Sequence, residues 1–330
     1  MKRAVLFICA VVLWMVAGYA QQQDPGIELQ NTTYPFPVQY YNLTEQKQAL
    51  HMAYMDVKPT RSNGHTVLLL HGKNFSGSYW DSTATRLQQA GYRVIIPDQV
   101  GFGKSSKPTA FQYSFQLLAL NTKNLLDSLK VDKVLVLGHS MGGMLATRFA
   151  LMFPPRVEKL VLENPIGLED YKAFVPYQSV DQLYASELKQ DAAKMKAYQQ
   201  DNYYGGNWKP AYDKWLALTT GWLSSKEYPT VAWNSALTSE MIITQPVGYE
   251  FEILAMPVLL IIGQRDRTAL GKNLVSDSVR KQMGNYPVLG RQTAQRIKNA
   301  TLVEIDNVGH LPHIEAFPLF IKPLLEFLAK

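Results

Sequence analysis

The chain has 330 residues, enough for one large domain with an insertion. Hydrophobic residues make up 47% of it and charged residues 18%, and 33 basic against 27 acidic residues give a net charge of +6. This basic excess is scattered and forms no stripe with interleaved aromatic residues, so we do not expect a nucleic-acid-binding protein.

The first 20 residues show the pattern of a secretory signal peptide. Lys2 and Arg3 give a basic start, residues 4–16 form an apolar core, and residues 17–20 offer small side chains at a cleavage site. The apolar core is shorter than the roughly 20 residues that span a bilayer, so we expect no membrane span after signal removal. We therefore predict an exported protein, periplasmic or secreted. Because Cys9 is the only cysteine, the mature chain is expected to lack disulfides.

Residues 21–50 are predicted to form an N-terminal arm and the first strand. Within residues 38–43 and 50–57 the side chains alternate in character, which favours an opening pair of antiparallel strands. The α/β core is expected over residues 51–165 and 256–330.

Strands and helices then alternate as far as residue 163. Short apolar runs without alternation are typical of parallel strands that are covered on both faces, and right-handed crossovers give a doubly wound sheet. The predicted strands are 66–70, 93–96, 134–137 and 159–163, and the predicted helices are 79–90, 115–129 and 141–153. The predicted fold class is therefore α/β with a mostly parallel, doubly wound sheet.

Residues 166–255 interrupt this pattern. They carry no strand signal but many helix-like segments and aromatic residues, which predicts a mainly helical cap inserted into the core. Most of these rings are expected to seal the cap onto the core, and some to line an apolar pocket over the strand ends. The core resumes near residue 257 and closes with a helix at 318–328. A basic connection, 270–300, is interpreted as a candidate second flap.

Ser140 stands in a Gly-x-Ser-x-Gly sequence at residues 138–142, between an apolar run and a helix-like stretch. The glycines permit a tight turn that lifts the serine hydroxyl into a cleft, as a nucleophile requires. The free N–H of Met141, at the start of the new helix, can face a developing oxyanion. The alternative is an ordinary strand-to-helix turn with a solvated serine.

Three further sites each lie within a few residues after an apolar run that we predict to be a strand. They are His71-Gly72-Lys73, Asp266 and His310. Open α/β sheets place their functional sites at the carboxyl ends of the strands. We therefore expect these residues to lie near Ser140.

The chain order Ser140, Asp266, His310 is the order of the catalytic residues in the α/β-hydrolase fold. From about residue 38 to the C-terminus, the chain resembles cap-bearing, serine-nucleophile, esterase-like members of this family. Residues 97–105, with the spacing Asp-x-x-Gly-x-Gly-x-Ser, and the segment 309–318 also resemble family motifs.

The resemblance implies a catalytic triad of Ser140, Asp266 and His310, and an oxyanion hole formed by the backbone N–H groups of Lys73 and Met141. It implies an exported serine hydrolase that cleaves a small or medium carboxylic ester through an acyl-enzyme intermediate. The expected partner is a small-molecule acyl substrate, with no cofactor, and no His or Cys cluster has metal-ligand spacing. The side chain of Lys73 is a further candidate contact for an anionic substrate group.

Other polar residues receive structural interpretations. His71 is expected to brace the oxyanion loop, His139 to pack beneath the nucleophile turn, and His313 to begin the last helix. Residues 101–105 look like a phosphate loop, but Asp98 stands where that loop needs a glycine. Asp98 is instead expected to hold its own turn through side-chain-to-backbone bonds.

Several alternatives stay open. Glu163, which follows the strand before the cap, is a competing triad acid. The same triad also serves amide, thioester, lactone and C–C hydrolysis, since the triad fixes the reaction type more than the substrate. The runner-up is a hydrolase-fold binding protein with slow or vestigial catalysis. Substrate identity and oligomeric state are left open.

Overall fold

The computed structural model describes residues 24–330, so the predicted signal peptide lies outside the described residues. Across residues 24–330, no helix combines the length and apolar character needed to cross a bilayer. Eight strands form one sheet: β1 (Val38–Glu45), β2 (Gln48–Val57), β3 (Thr66–Leu70), β4 (Arg93–Pro97), β5 (Val134–His139), β6 (Val157–Glu163), β7 (Val258–Gly263) and β8 (Ala300–Ile305).

The strands are ordered β1-β2-β4-β3-β5-β6-β7-β8 across the sheet. β1 pairs antiparallel with β2, and β2 pairs antiparallel with β4, whereas all other neighbours are parallel. The α-helices are α1 (Asp81–Gln89), α2 (Phe115–Ser128), α3 (Met141–Met152), α4 (Val180–Glu187), α5 (Ala192–Asn202), α6 (Asp213–Thr220), α7 (Tyr228–Thr244), α8 (Asp277–Gln282), α9 (Tyr286–Arg296), α10 (Pro312–Glu315) and α11 (Phe317–Ala329).

Helices α4 to α7 lie between β6 and β7 in the chain, where the sequence predicts the cap. The predicted fold class is confirmed: the sheet is mostly parallel and doubly wound, with a mainly helical insertion. The predicted strands and helices before the cap agree with the observed ones to within two residues at every end.

The middle residues of the central strands are apolar because both faces of the sheet are covered. Val67 and Leu69 belong to the hydrophobic cluster on one face, and Leu68 and Leu70 belong to the cluster on the other. Successive side chains of a strand point to opposite faces, so neither face tolerates a polar residue here. Burying each such side chain contributes about 1.5–3 kcal/mol.

Residues 24–34, the described part of the N-terminal arm before β1, contain turns and lie between the cap and the core. Trp222 of the cap donates its indole N–H to the carbonyl oxygen of Gly26 (2.9 Å). On the core side, the ammonium of Lys104 donates to the carbonyl oxygen of Leu29 (2.5 Å). The arm therefore links the cap to the core.

Asp98 organises the turn after β4, as expected from the sequence. Its carboxylate accepts hydrogen bonds from the backbone N–H groups of Gly77 (2.6 Å) and Lys104 (2.7 Å). It also accepts a bond from the hydroxyl of Tyr34 (2.7 Å). Asp98 thus fixes both its own turn and the end of the N-terminal arm.

The sequence suggested that residues 270–300, the connection after β7, form a second flap. The structure shows helices there instead: the connection contains α8 and α9, and α9 packs on β7 and β8 of the sheet. Gly290 permits this packing, because a Cβ atom there would lie 3.0 Å from the side chain of Ile262. Two basic residues of this segment, Arg291 and Arg296, lie on α9, and both are exposed.

Candidate active site

Ser140 occupies a strained turn between β5 and α3. Its backbone has φ +56° and ψ −123°, a conformation that costs a non-glycine residue about 1–3 kcal/mol. A Cβ atom on Gly142 would lie 2.1 Å from the carbonyl oxygen of Leu70, and one on Gly138 would lie 2.1 Å from the carbonyl oxygen of Gly142. The turn therefore requires both glycines of the Gly-x-Ser-x-Gly sequence, and it places the serine at the end of the strand.

The structure brings Ser140, His310 and Asp266 into one hydrogen-bonded chain. Nε2 of His310 lies 2.9 Å from the Ser140 hydroxyl, and Nδ1 lies 2.7 Å from a carboxylate oxygen of Asp266. All three residues are buried. Since a carboxylate only accepts, Nδ1 of His310 carries a proton and Nε2 can accept the serine proton.

Asp266 is oriented by further donors. Its Oδ1 accepts the backbone N–H of Thr268 (2.8 Å), and its Oδ2 accepts the side-chain amide of Asn164 (2.7 Å) as well as the ring of His310. Asn164 is itself fixed, because its side-chain oxygen accepts the N–H of Gly263 (2.9 Å). No sequence motif indicated Asn164, which follows β6 and reaches across to the end of β7.

Glu163, the competing triad acid, does not reach His310. One of its carboxylate oxygens accepts bonds from the backbone N–H (2.9 Å) and the ring Nδ1 (2.8 Å) of His313, and both residues are fully buried. The geometry therefore favours Asp266 as the triad acid. The sequence predicted that His313 begins the last helix, but that helix, α11, begins at Phe317, and His313 lies in the short helix α10 before it. No sequence signal indicated the contact of His313 with Glu163.

A second hydrogen-bonded chain runs beneath the triad. Nε2 of His139 lies 2.8 Å from the carbonyl oxygen of His310, and its Nδ1 lies 3.0 Å from the hydroxyl of Tyr79. Burial holds the pKa of His139 well below its ordinary value, so the ring is neutral and donates from Nε2. Tyr79 then donates to Nδ1 and accepts the N–H of Gly72 (2.9 Å). This chain ties the loop of His310 to the loop of Gly72.

The loop after β3 presents the first predicted oxyanion donor. The ring of His71 bonds with Nδ1 to the carbonyl oxygen of Gly72 (2.9 Å), while Nε2 accepts the N–H of Gln99 (3.1 Å). In a trans peptide the N–H points away from the carbonyl oxygen. By holding the Gly72 carbonyl, His71 therefore also fixes the direction of the Lys73 N–H.

Both predicted oxyanion donors lie close to Ser140. A Cβ atom on Gly72 would be 3.1 Å from Cβ of Ser140, so the peptide that carries the Lys73 N–H passes next to the serine. Met141 is the first residue of α3, and the first N–H groups of a helix have no partner within it. The arrangement offers backbone donors from two loops to an oxygen bound near Ser140.

A cap residue, Tyr203, contacts both catalytic loops. Its carbonyl oxygen accepts the backbone N–H of His310 (3.0 Å), and its hydroxyl accepts the side-chain amide of Asn74 (2.8 Å), which follows Lys73. The sequence indicated Tyr203 only as one of many cap aromatics. Its position shows that the cap directly contacts the loops of Lys73 and His310.

A cavity of about 320 Å³ opens above Ser140 between the core and the cap. Trp222 of the cap lines this cavity. The other three tryptophans of the cap, Trp208, Trp215 and Trp233, do not belong to the described cavity wall. Apolar residues of the wall include Leu29, Phe102 and Ile166. The arm, the core and the cap therefore all contribute to it.

The side chain of Lys73 is already engaged by the cap. Its ammonium donates to the hydroxyl of Ser235 (2.6 Å) and lies 3.8 Å from a carboxylate oxygen of Glu187. Ser235 in turn donates to Glu187 (2.9 Å). Burial lowers the pKa of Lys73, and the nearby Glu187 opposes that shift. Lys73 is thus not the free anion contact that the sequence suggested.

No group of three or more His, Cys, Asp or Glu residues between residues 24 and 330 is arranged to hold a metal ion. The groups that converge on the cavity are those of nucleophilic and acid–base chemistry.

Comparison with known proteins gives a consistent family assignment. A family model described as alpha/beta hydrolase fold matches residues 65–317. The crystal structure of a probable hydrolytic enzyme from Pseudomonas aeruginosa PAO1 superposes with a TM-score of 0.90 at 52% identity, covering 91% of this chain and 97% of that one. A thermophilic esterase from Thermogutta terrifontis superposes with a TM-score of 0.66 at 20% identity, over 88% of this chain and 98% of that one, and is similar in fold alone.

Curated relatives match over shorter segments. A 2-hydroxy-6-oxo-2,4-heptadienoate hydrolase from Pseudomonas putida is 36% identical over 107 residues, or 32% of this chain and 39% of that protein. A 2-hydroxy-6-oxononadienedioate/2-hydroxy-6-oxononatrienedioate hydrolase from Comamonas testosteroni is 29% identical over 185 residues, or 52% of this chain and 65% of that protein. The chain thus spans less than two thirds of the length of these relatives.

Proposed function

The chain belongs to the α/β-hydrolase fold family, and we propose that it is a serine hydrolase that cleaves a small or medium carboxylic ester. The observation that carries this proposal is the hydrogen-bonded chain from Asp266 through His310 to Ser140 at the floor of a cavity. A nucleophile, a base and a group that orients the base are what acyl transfer requires.

In the proposed acylation step, the Ser140 oxygen attacks the ester carbonyl carbon while Nε2 of His310 takes the hydroxyl proton. The carbonyl oxygen becomes an oxyanion that accepts bonds from the N–H groups of Lys73 and Met141. When the tetrahedral intermediate collapses, the ester C–O bond breaks and His310 returns the proton to the leaving alcohol. The acyl group remains on Ser140.

In the proposed deacylation step, a water molecule takes the place of the alcohol. His310 removes a proton from the water as its oxygen attacks the acyl carbon, and the same backbone donors bind the second oxyanion. Collapse breaks the bond to Ser140, which regains its proton, and a carboxylic acid leaves. Asp266 stabilises the imidazolium in both steps without changing its own protonation.

The size of the cavity supports a small or medium substrate. Ligand sites commonly enclose about 300–1,000 Å³, and this cavity of about 320 Å³ lies at the lower end of that range. A long acyl chain would have to displace side chains of the cap or the arm.

A second candidate is hydrolysis of a C–C bond beside a carbonyl group. The names of the Pseudomonas putida and Comamonas testosteroni relatives favour it, although the matches cover only parts of those proteins. The same nucleophile and base serve either reaction, so only the substrate distinguishes them.

A serine-directed fluorophosphonate probe tests the proposal. We expect the wild-type protein to be labelled at Ser140 and to hydrolyse p-nitrophenyl esters, with the rate falling as the acyl chain outgrows the cavity. Ser140→Ala should remove both properties without unfolding the protein. Hydrolysis by the alanine variant at a near wild-type rate would overturn the assignment, and a wild-type protein that binds esters without cleaving them would indicate a binding protein.

We also propose that the protein is exported, on the basis of the signal-like pattern in residues 1–20. N-terminal sequencing of the protein recovered from the periplasm or medium should show a chain that begins near residue 21. Recovery only in the cytoplasm, with the first 20 residues retained, would refute this.

A further inference from the structure

Lys107 is a buried cation in the wall of the cavity that contains Ser140, and only 7% of its surface is exposed. Its ammonium donates to the carbonyl oxygens of Gly103 (2.7 Å) and Ser105 (3.2 Å). It also lies 5.4 Å from the ring centroid of Trp222. An ammonium has three N–H groups and a full positive charge, and these partners are all neutral.

The acidic groups that influence Lys107 act from a distance and have other partners. They are Asp98 and Glu28. Asp98 accepts the N–H of Lys104, among other donors, and Glu28 lies 3.1 Å from the ring of His51. Taking an ammonium out of water without an adjacent carboxylate costs several kcal/mol. Burial accordingly lowers the pKa of Lys107 to about 8, so the cation still predominates at neutral pH.

Two other lysines provide a contrast: Lys73, which is half-buried, and Lys104, which is buried. Lys73, in the same cavity, has Glu187 of the cap nearby. Lys104 donates to the carbonyl of Leu29 and lies 4.9 Å from the ring centroid of Tyr34, but it does not line the cavity. In contrast to Lys73, Lys107 borders the cavity and has no carboxylate beside it among the described residues.

We propose that Lys107 is an anion subsite, and that the ester cleaved at Ser140 carries a carboxylate remote from the scissile bond. This inference rests on the proposed function and narrows its substrate class. Leu29, Phe102 and Trp222 line the same cavity and provide an apolar surface for the carbon chain between the two groups. The substrate carboxylate supplies the counter-ion that the protein itself does not place next to Lys107.

The test compares charged and neutral esters of the same shape. The p-nitrophenyl hemiesters of glutaric, adipic and pimelic acids carry a terminal carboxylate, and their terminal carboxamides are neutral controls. A second set, acetate esters of ω-hydroxy acids and of the matching ω-hydroxy amides, places the carboxylate in the alcohol part. We expect the wild-type kcat/KM to favour the carboxylate by roughly 10-fold or more in at least one set, after subtraction of spontaneous hydrolysis.

Lys107→Met removes the charge and keeps most of the side-chain length. We expect it to lower the ratio of kcat/KM for carboxylate over carboxamide by roughly 10- to 100-fold, mainly through KM. The matched control is Lys104→Met, which removes a buried lysine from the same loop but not from the cavity wall. Its ratio should stay at the wild-type value.

The results separate this inference from the proposed function. If the neutral esters are cleaved and Ser140 is labelled, but no carboxylate is preferred or Lys107→Met leaves the ratio unchanged, Lys107 only braces its loop and the inference is wrong. Failure of all esters together with absence of labelling would overturn the serine hydrolase itself.

A measurement on the wild-type protein covers the case in which Lys107→Met does not fold. Pentanoate should inhibit hydrolysis of p-nitrophenyl acetate roughly 10-fold more strongly than pentanamide, with the difference shrinking at high salt. Equal inhibition by the acid and the amide would contradict the anion subsite.

Discussion

The phenol ring of Tyr203 stacks on the imidazole ring of His310, with centroids 4.8 Å apart and planes inclined by 26°. Tyr203 ends α5 and belongs to the cap, whereas His310 follows β8 of the core. Together with the bond from the His310 N–H to the Tyr203 carbonyl, the stack makes the position of the base depend on the position of the cap.

Replacing Tyr203 should therefore affect the chemical step. We expect Tyr203→Leu to lower kcat about 3- to 10-fold, because an aromatic pair contributes about 0.5–1.5 kcal/mol beyond its buried area. Tyr203→Phe keeps the stacked ring and should restore most of kcat. The measurement is kcat and KM for a short p-nitrophenyl ester, with KM changing less than kcat.

Tyr204 provides the control for this prediction. It is equally buried but stacks on Tyr212, with ring centroids 3.8 Å apart, rather than on His310. Tyr204→Leu should lower Tm without a comparable loss of kcat in the folded protein. Equal losses of kcat in Tyr203→Leu and Tyr204→Leu would show that the cap merely needs to be well packed.

Asp266 and Glu163 should respond differently to removal of their charge. We expect Asp266→Asn to lower kcat by roughly 10³- to 10⁴-fold, because the amide cannot stabilise the imidazolium of His310. Glu163→Gln should chiefly lower the free energy of unfolding, by about 1–3 kcal/mol, since it weakens the buried hydrogen bonds from the backbone N–H and the ring of His313. Kinetics and denaturant unfolding on both variants decide the matter. A large loss of kcat in folded Glu163→Gln, together with a small loss in Asp266→Asn, would show that Glu163 and not Asp266 is the triad acid.

The hydroxyl of Tyr79 should support the oxyanion loop. Tyr79→Phe leaves the buried N–H of Gly72 without its acceptor, which costs about 1–3 kcal/mol, and removes the donor to Nδ1 of His139. We expect a lower Tm and a kcat reduced about 10-fold as the Gly72–Lys73 peptide loses its position.

Tyr204→Phe is the matched control for Tyr79→Phe, because the Tyr204 hydroxyl is buried and makes no hydrogen bond within the described structure. It should leave both kcat and Tm nearly unchanged or slightly raise Tm. If Tyr79→Phe behaves the same way, the hydrogen bonds that link Gly72 to His139 through the Tyr79 hydroxyl are not needed for catalysis.

Functional residues could be predicted from the sequence where the neighbouring residues form a recognisable pattern. They were missed where their role depends on a contact with a residue far away in the chain. Ser140 has glycines two positions away on each side, and Asp266 and His310 follow recognisable apolar strands, so each could be identified from its neighbours. His313 was interpreted as a helix start because its partner, Glu163, is 150 residues away in the chain. Tyr203 had no local signal either, since cap aromatics that pack and those that touch the triad follow the same pattern.

The preference for an anionic ester should depend on pH through Lys107. Below its pKa of about 8 the ammonium carries the charge that binds a carboxylate, and above that pH the neutral amine does not. Asp98 and Glu28, which face Lys107 from the turn after β4 and from the arm, act to raise this pKa. The ratio of kcat/KM for carboxylate over carboxamide should therefore fall as pH rises from 7 to about 9. A constant ratio over this range would contradict the role of the ammonium.

Trp222 should limit the length of acyl chain that the cavity accepts. It is the cap tryptophan in the cavity wall, and its indole N–H bonds to the carbonyl of Gly26 in the arm. Trp222→Ala removes bulk from the cavity, so kcat/KM for longer acyl chains should rise relative to that for acetate. One methylene in an apolar pocket contributes about 1–3 kcal/mol, which corresponds to roughly 10-fold or more in the ratio.

The control for Trp222 is Trp215, which is buried in the core cluster away from the cavity wall. Trp215→Ala should lower Tm, since truncating a buried Trp costs about 3–5 kcal/mol, but it should not change chain-length selectivity. Labelling of Ser140 should persist in both variants as long as they are folded, because neither ring contacts the triad. If Trp222→Ala leaves selectivity unchanged across the ester series, acyl chains do not extend toward the arm. The limit on chain length must then come from another part of the cavity wall, such as Leu270 after β7.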